Sequence, residues 1–145
     1  IIADDRLYSG RNCGAGEFGY IPYKDHNFEH YCTTSYFEIK YGIKPNALYT
    51  RAQKQDKIAL AVLEQFGVDF GNFIQTILFA VDPELIVIGG NLASFFPYFE
   101  SSLWKTVQKF PYEQTIERLR IETSDNPDIE VLGAGALYFD AERWI

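Results

Sequence analysis

The 145-residue sequence contains no methionine and only two cysteines, Cys13 and Cys32. Two thiols are too few for a disulfide framework, so a reducing, cytoplasmic setting is the expectation. No apolar run approaches the roughly 20 residues that a membrane-spanning helix needs, and no charged-then-apolar leader opens the chain. Positive charge is scarce: 13 Lys and Arg against 20 Asp and Glu leave a formal charge of −7. That balance argues against nonspecific binding to nucleic acid or an anionic membrane, which needs clustered cations. A Ser/His/Asp arrangement, a phosphate-cradling Walker loop, an internal repeat and an interdomain linker are all missing. With no initiator methionine and an abrupt start at Ile1-Ile2, the chain reads as a piece cut from a larger protein.

Apolar side chains are plentiful, at 47% overall and 17% aromatic. A chain of this length and content is expected to form one domain over residues 1–145, burying roughly 70% of its unfolded surface. Its organising stretch runs from Phe73 to Asn91. Asp82-Pro83 breaks a helical pattern, because Pro83 lacks the N–H that would extend it. Leu85-Ile86-Val87-Ile88 is too short for a helix and reads as a strand buried on both faces. Gly89-Gly90 ends that strand with residues that allow positive φ and close approach to the main chain. A buried helix feeding such a strand is α/β architecture, with ligands expected at the strand's carboxyl end.

The flanking segments follow from the same rules. Asp4-Asp5 between Ile1-Ile2-Ala3 and Arg6-Leu7-Tyr8 predicts a hairpin. Gly14-Ala15-Gly16-Glu17-Phe18-Gly19 matches the dinucleotide fingerprint G-x-G-x-x-G, but no strand precedes it and Pro22 blocks a following helix, so that reading is rejected. Lys24 to His30 reads as a polar surface loop. Thr33 or Thr34 is expected to cap a helix through Tyr36–Tyr41 that ends at Gly42, and Pro45-Asn46 starts another that includes Leu48.

Asp56 is expected to cap a long helix, Lys57 to Val81. Its apolar positions, Ala59, Val62, Leu63, Phe66, Phe70, Phe73, Ile74, Ile77 and Val81, recur at the helical period. Gly67 and Gly71 share one face of it, where each costs up to about 1 kcal/mol against alanine. Close packing of another backbone is the expected compensation. Ser94 is read as the cap of a helix with Pro97 in its first turn, Arg118–Thr123 as a strand, and Asn126-Pro127-Asp128 as the start of a last helix. That helix carries Gly133-Ala134-Gly135-Ala136-Leu137, a small-residue face suited to lying close on a sheet or ligand.

Few residues point to chemistry unaided. Glu17, in a tight glycine loop, could accept hydrogen bonds from sugar hydroxyls, although taken alone it reads as a surface glutamate. Glu38, amid Tyr36, Phe37, Ile39 and Tyr41, faces either solvent or an aromatic-lined pocket, and periodicity does not decide. His26, His30 and Cys32 invite a metal reading, but zinc signatures show paired ligands at regular spacing. Solvated histidines and a packed cysteine are the better account. Phe95, Phe96, Tyr98, Phe99 and Trp104 read as core or as a subunit interface.

Taken together, four ordered segments resemble the ROK family, which groups bacterial sugar kinases with sugar-responsive transcriptional repressors. Ala15-Gly16-Glu17-Phe18-Gly19-Tyr20 is similar to the family's A-G-E-x-G-H, and Phe37-Glu38 to the end of its C-L-E. Asp82-Pro83-Glu84-Leu85-Ile86-Val87-Ile88-Gly89-Gly90 matches D-P-E-x-I-V-I-G-G closely, and Leu132–Leu137 resembles the last helix. The resemblance implies the carboxy-terminal lobe of a ribonuclease H-like, actin-like fold, helix-rich with a small mixed sheet. It implies sugar contacts from Glu17, Tyr20 and Glu38, and a nucleotide side lined by Gly89, Gly90 and Gly133. ATP and Mg would serve the intact parent, a homodimer is expected, and DNA enters only if the parent is a repressor with an upstream helix-turn-helix.

Two departures stand out. Tyr20 replaces the family histidine that binds zinc and sugar, and the cysteine cluster is reduced to Cys32. The structural zinc is therefore expected to be absent, with Tyr20, Tyr31 and Tyr36 packing in its place. Because the catalytic aspartate belongs to the amino-terminal lobe, this chain alone is not expected to be catalytic.

Overall fold

The architecture is built on α4, Lys57–Val81, a 25-residue helix laid against α5, Asn91–Val107. The structure is a computed structural model and describes residues 1–142 apart from 125 and 127. The start of α4 follows from its cap: Asp56 Oδ1 accepts the Ala59 N–H at 2.9 Å, and Asp82, at φ 42°, turns the chain left-handed at the other end. Gly67 and Gly71 face α5 as expected. A Cβ on Gly67 would stand 2.5 Å from the Phe99 carbonyl oxygen, and one on Gly71 would stand 2.9 Å from that of Leu103. Glycine there lets two backbones meet, which offsets its conformational cost. Around this contact Phe37, Phe66, Phe95 and Phe99 pack with ring centroids 5.0 to 5.6 Å apart, giving an aromatic core.

Shorter elements are added around that pair. Strands β1 (Ile2–Ala3) and β2 (Arg6–Leu7) form the expected hairpin, with Asp4 and Asp5 both at positive φ in the turn. A single 3-10 turn, Phe18–Tyr20, closes the glycine loop. It leads into a second hairpin, β3 (Pro22–Tyr23) and β4 (His26–Asn27), then α1 (Phe28–Tyr31), α2 (Ser35–Tyr41) and α3 (Pro45–Gln53). Gly42, at φ 64°, ends α2 by donating its N–H to the Glu38 carbonyl. After α4, β5 (Leu85–Ile88) pairs in parallel with β6 (Arg120–Thr123), placing Ile86 opposite Ile121. Between them lie α5 and α6 (Glu113–Arg118), and α7 (Ile129–Glu142) closes the chain.

Several expectations need correction. Lys24–His30 is not a surface loop: Lys24-Asp25 makes a tight hairpin turn, and α1 follows with Phe28 buried. The turn lacks glycine, and Lys24 itself takes the positive φ of 53°. In place of one small mixed sheet, the described residues form three two-stranded sheets. Strand β5 is not buried on both faces, since Leu85 is 37% and Val87 53% exposed while Ile88 packs on the core. The sheet's partly buried residues, Ile86 and Ile121, pack against the core as well. Helix α5 begins at Asn91 with Gly90 as its cap, so Ser94 lies inside it and Pro97 is an interior proline.

Neither Thr33 nor Thr34 caps α2 through its side chain: Thr34 holds the position with helical backbone angles. Arg118 ends α6 rather than opening β6. Val81, counted in the apolar stripe of α4, is 39% exposed at its last turn. Gly133 and Gly135 of α7 do not pack on the sheet, since among the described residues nothing comes within 4 Å of a Cβ on either. Helix α7 starts after Asp128, whose N–H is held by Asn126 Oδ1 at 2.9 Å, and Pro127 lies outside the described residues.

Candidate functional site

Helix α2 brings Glu38 to the rim of a cavity of about 640 Å³. The opposite wall is the first turn of α5, with Asn91 and Phe95, and Lys44, Asn46 and Tyr49 of the α2–α3 junction line its side. The local sequence explains the arrangement. Gly42 stops α2 one turn after Glu38, and Pro45 restarts a helix at once, so the chain folds back beside the carboxylate. Gly90 takes φ 62° and ψ −153°, a region open essentially to glycine, and turns the carboxyl end of β5 into α5. Since Gly90 has no side chain to cap the helix, the positive end of the α5 dipole lies at this cavity. An anionic carboxylate, a cation, two amides and an aromatic face therefore share one hollow, a set able to hydrogen-bond polyhydroxylated ligands and to offset negative charge.

The other expected site residues are not among those that line it. Tyr20 is 66% exposed and lines a second cavity of about 460 Å³ with His26, Glu29, His30 and Ser35. Glu17 is exposed at the start of the 3-10 turn, its carbonyl accepting the Tyr20 N–H at 3.2 Å. Thr33, Thr34 and Ser35 separate the two hollows: Thr34 lines the first, Thr33 and Ser35 the second. Gly89 sits against the start of α7, where Ile129 Cγ2 comes within 3.2 Å of a Cβ built on it. Gly133 follows Ile129 by one helical turn on the same face. A third hollow, of about 590 Å³, lies at the amino end of β5, away from the edge where ligands bind such sheets, and Thr115 Oγ1 donates to Asp82 Oδ1 there at 3.0 Å.

Sequence reasoning did not single out Lys44, Asn46, Tyr49 or Asn91. Lys44, Asn46 and Tyr49 lie around the helix start that Pro45 marks, whereas Asn91 follows Gly90, which the sequence marks only as the end of a strand.

The residues around Cys32, where the resemblance implies a zinc cluster, pack on one another. Cys32 is 5% exposed, and burial, reinforced by the Asp69 carboxylate, pushes its thiol well above the ordinary range. The His26 and His30 rings lie face to face, with centroids 4.1 Å apart and planes inclined by 19°, so they stack rather than converge on a point. Among the described residues no group of three or more His, Cys, Asp or Glu could hold a metal. Aromatic packing occupies the region, with Tyr31 and Tyr36 centroids 5.1 Å apart and the buried Tyr36 hydroxyl pushed up to about 12.

A sequence profile of the ROK family matches residues 1–140. An uncharacterised protein of Clostridium perfringens is 23% identical over 128 residues, covering 79% of this chain and 43% of that protein. The crystal structure of a candidate sugar kinase from Cytophaga hutchinsonii superposes with a TM-score of 0.75 at 20% identity, over 93% of this chain and 52% of that one. A transcriptional regulator homologous to the E. coli MLC protein superposes at 0.71 with 18% identity, over 83% of this chain and 37% of that one. The chain thus spans about half the length, or less, of the proteins it matches.

Proposed function

This chain belongs to the ROK family, and on that premise we propose that it is the sugar-binding and nucleotide-side lobe of an ATP-dependent sugar kinase. One observation carries the reading: Glu38 and Asn91, the first residue of α5 after the Gly90 turn, line the same cavity. A carboxylate suits sugar hydroxyls. A glycine turn at a helix amino terminus suits phosphate or ribose oxygens, because no side chain intervenes. In this reading the chain is the carboxy-terminal lobe of an actin-like, ribonuclease H-like protein. Glu38, Glu17 and Tyr20 hold a hexose or N-acetylhexosamine, and Gly89, Gly90 and Gly133 line the adenine-nucleotide side. ATP, Mg and the catalytic base belong to the intact, cytoplasmic, homodimeric parent, and this lobe alone is inactive.

The direct test is to assay the full-length protein with ATP and a panel of hexoses and N-acetylhexosamines. Turnover of at least one sugar is expected, and turnover of none would refute the kinase reading. Glu38→Gln should weaken sugar binding by about 1.5 to 3 kcal/mol, the scale of a hydrogen bond to a charged group. Unchanged affinity by calorimetry would take Glu38 out of the site.

A second reading keeps the sugar half without phosphoryl transfer. The fold likeness to the ROK regulator supports it as well as the kinase likeness supports the first. It requires a helix-turn-helix ahead of this lobe and sugar-dependent DNA binding in place of turnover.

A further inference from the structure

Outside the candidate site, the most unusual group is Asp69, a carboxylate in the middle of α4 that is only 1% exposed. Its Oδ1 accepts from Lys24 Nζ at 2.6 Å, from the Tyr23 hydroxyl at 2.9 Å and from Gln65 Nε2 at 3.4 Å. Its Oδ2 is buried with no hydrogen-bond partner among the described residues. Lys24 comes from the turn of the second hairpin, 45 residues earlier in the chain. Its ammonium also lies 5.1 Å from the Tyr23 ring centroid and 4.7 Å from that of Tyr31. A cation between two aromatic faces and a carboxylate is held electrostatically from three directions.

Beyond this pair the hairpin is held by Tyr23, stacked on Phe28 with centroids 4.3 Å apart, and by its turn residue Asp25, which accepts from the Tyr31 hydroxyl, yet the hairpin itself is small. It is only two residues per strand, and an isolated two-stranded hairpin is marginal in water. Yet it borders the second cavity: His26 and Asn27 of β4 form one wall, and Tyr20 lies two residues before β3. Anchoring the hairpin to α4 therefore places Tyr20 as well.

We propose that Lys24 and Asp69 form a metal-free latch, in which the lysine ammonium supplies the positive charge that orders the hairpin and makes Lys24 and Asp69 positioning residues for Tyr20. The latch follows from the geometry alone, whereas its effect on sugar rests on the function proposed above. Lys24 is 43% exposed and Asp69 1%, so removing the lysine is the damaging change, because it strands the buried carboxylate without its cation. With Oδ2 unmet, loss of the lysine leaves Asp69 only the neutral Tyr23 hydroxyl and, at 3.4 Å, the Gln65 amide.

The experiment is hydrogen exchange on the full-length protein, resolved at the amides of residues 18–28, with Lys24→Met, Lys24→Arg and Tyr23→Phe. Lys24→Met should speed exchange there by at least about tenfold while the α4–α5 core keeps its protection. Lys24→Arg, which keeps a cation, should restore most of it. Tyr23→Phe removes only one hydroxyl and should fall between, giving a milder variant if Lys24→Met does not fold. Unchanged exchange in Lys24→Met would overturn the latch. So would a chelator that loosens the unsubstituted protein as much as Lys24→Met does, since a metal would then be the fastener.

Titration with glucose and with N-acetylglucosamine tests the link to Tyr20. If the unsubstituted protein binds either, Lys24→Met should weaken binding about tenfold and Lys24→Arg should recover it. Faster exchange with unchanged affinity would refute the positioning role. Absence of binding in the unsubstituted protein would refute the sugar reading and the link with it, and the exchange result would still decide the latch.

Discussion

Replacing Gly67 by alanine isolates the contact on which the fold is built. In a helix interior the change normally stabilises, by up to about 1 kcal/mol, because alanine loses less backbone entropy than glycine. Here the new methyl would stand 2.5 Å from the Phe99 carbonyl oxygen and 2.0 Å from Ser102 Oγ. Ser102 could rotate, at the expense of its 2.9 Å bond to that same carbonyl, but the backbone oxygen has no such freedom. Restoring an ordinary carbon–oxygen contact of roughly 3.3 Å requires α5 to retreat by about 0.8 Å. A gap of that size forfeits about a quarter to a half of the dispersion energy along the rest of the interface.

Overpacking of this kind costs up to about 3 kcal/mol, so net of the propensity gain the expected loss is about 2 kcal/mol. For a chain of this size that lowers Tm by about 4 to 8 °C. The control is Gly135→Ala, the same substitution in a helix interior with no atom within 4 Å of the new carbon. It should leave stability unchanged or raise it. Thermal and urea melts followed by circular dichroism read both. A Gly67→Ala protein as stable as the Gly135→Ala protein would refute close backbone packing as the reason for that glycine.

Two further predictions concern turns and caps. Gly90→Ala places a side chain at φ 62°, ψ −153° and should cost about 1 to 3 kcal/mol. Gly89→Ala, which meets only Ile129 Cγ2 at 3.2 Å, should cost less, and urea midpoints at constant m compare the two. The Asp56 carboxyl is held below its usual range by the Ala59 N–H and then by Arg51. A depressed folded value means the cap stabilises above the ordinary carboxylate range and is lost as pH falls through the folded value. Asp56→Ala should therefore lower Tm at neutral pH, with the gap to the parent closing in acid and Asp56→Asn losing less. A gap independent of pH would remove charge from the account.

Local rules made α4 legible. Asp56, the apolar stripe and Asp82-Pro83 gave its bounds as found, and the glycine pair announced a close neighbour without naming α5. The same holds for Gly42, for the Asp4-Asp5 turn and for the strand before Gly89. What escaped was either unpunctuated or distant. The Lys24-Asp25 turn carries no glycine, so nothing in its sequence separates a hairpin from a loop. Helix α6 is six residues long, too short for a period to show. Ser94 is a better capping residue than Gly90 by propensity, and the tertiary turn at Gly90 overrode that preference. Asp69 did leave a trace, an acid on the buried side of an apolar helix, but its partner is 45 residues away and no local rule reaches it. In the candidate site the sequence supplied Glu38, Tyr20 and the glycine turn singly. Their division between two hollows, with Lys44, Asn46, Tyr49 and Asn91 beside Glu38, is a property of chain path rather than of any motif.

The two-glycine contact has a bearing on how this protein can change. It sets the separation of α4 and α5 from inside, whereas Asn91 and Ser94 reach the large hollow from the opening turn of α5, two turns before Phe99 meets Gly67. The frame and the lining are thus governed by different positions. Substitutions at the rim can retune which ligand is admitted while the spacing of the beams stays put, and a single added methyl at the joint would disturb every wall at once.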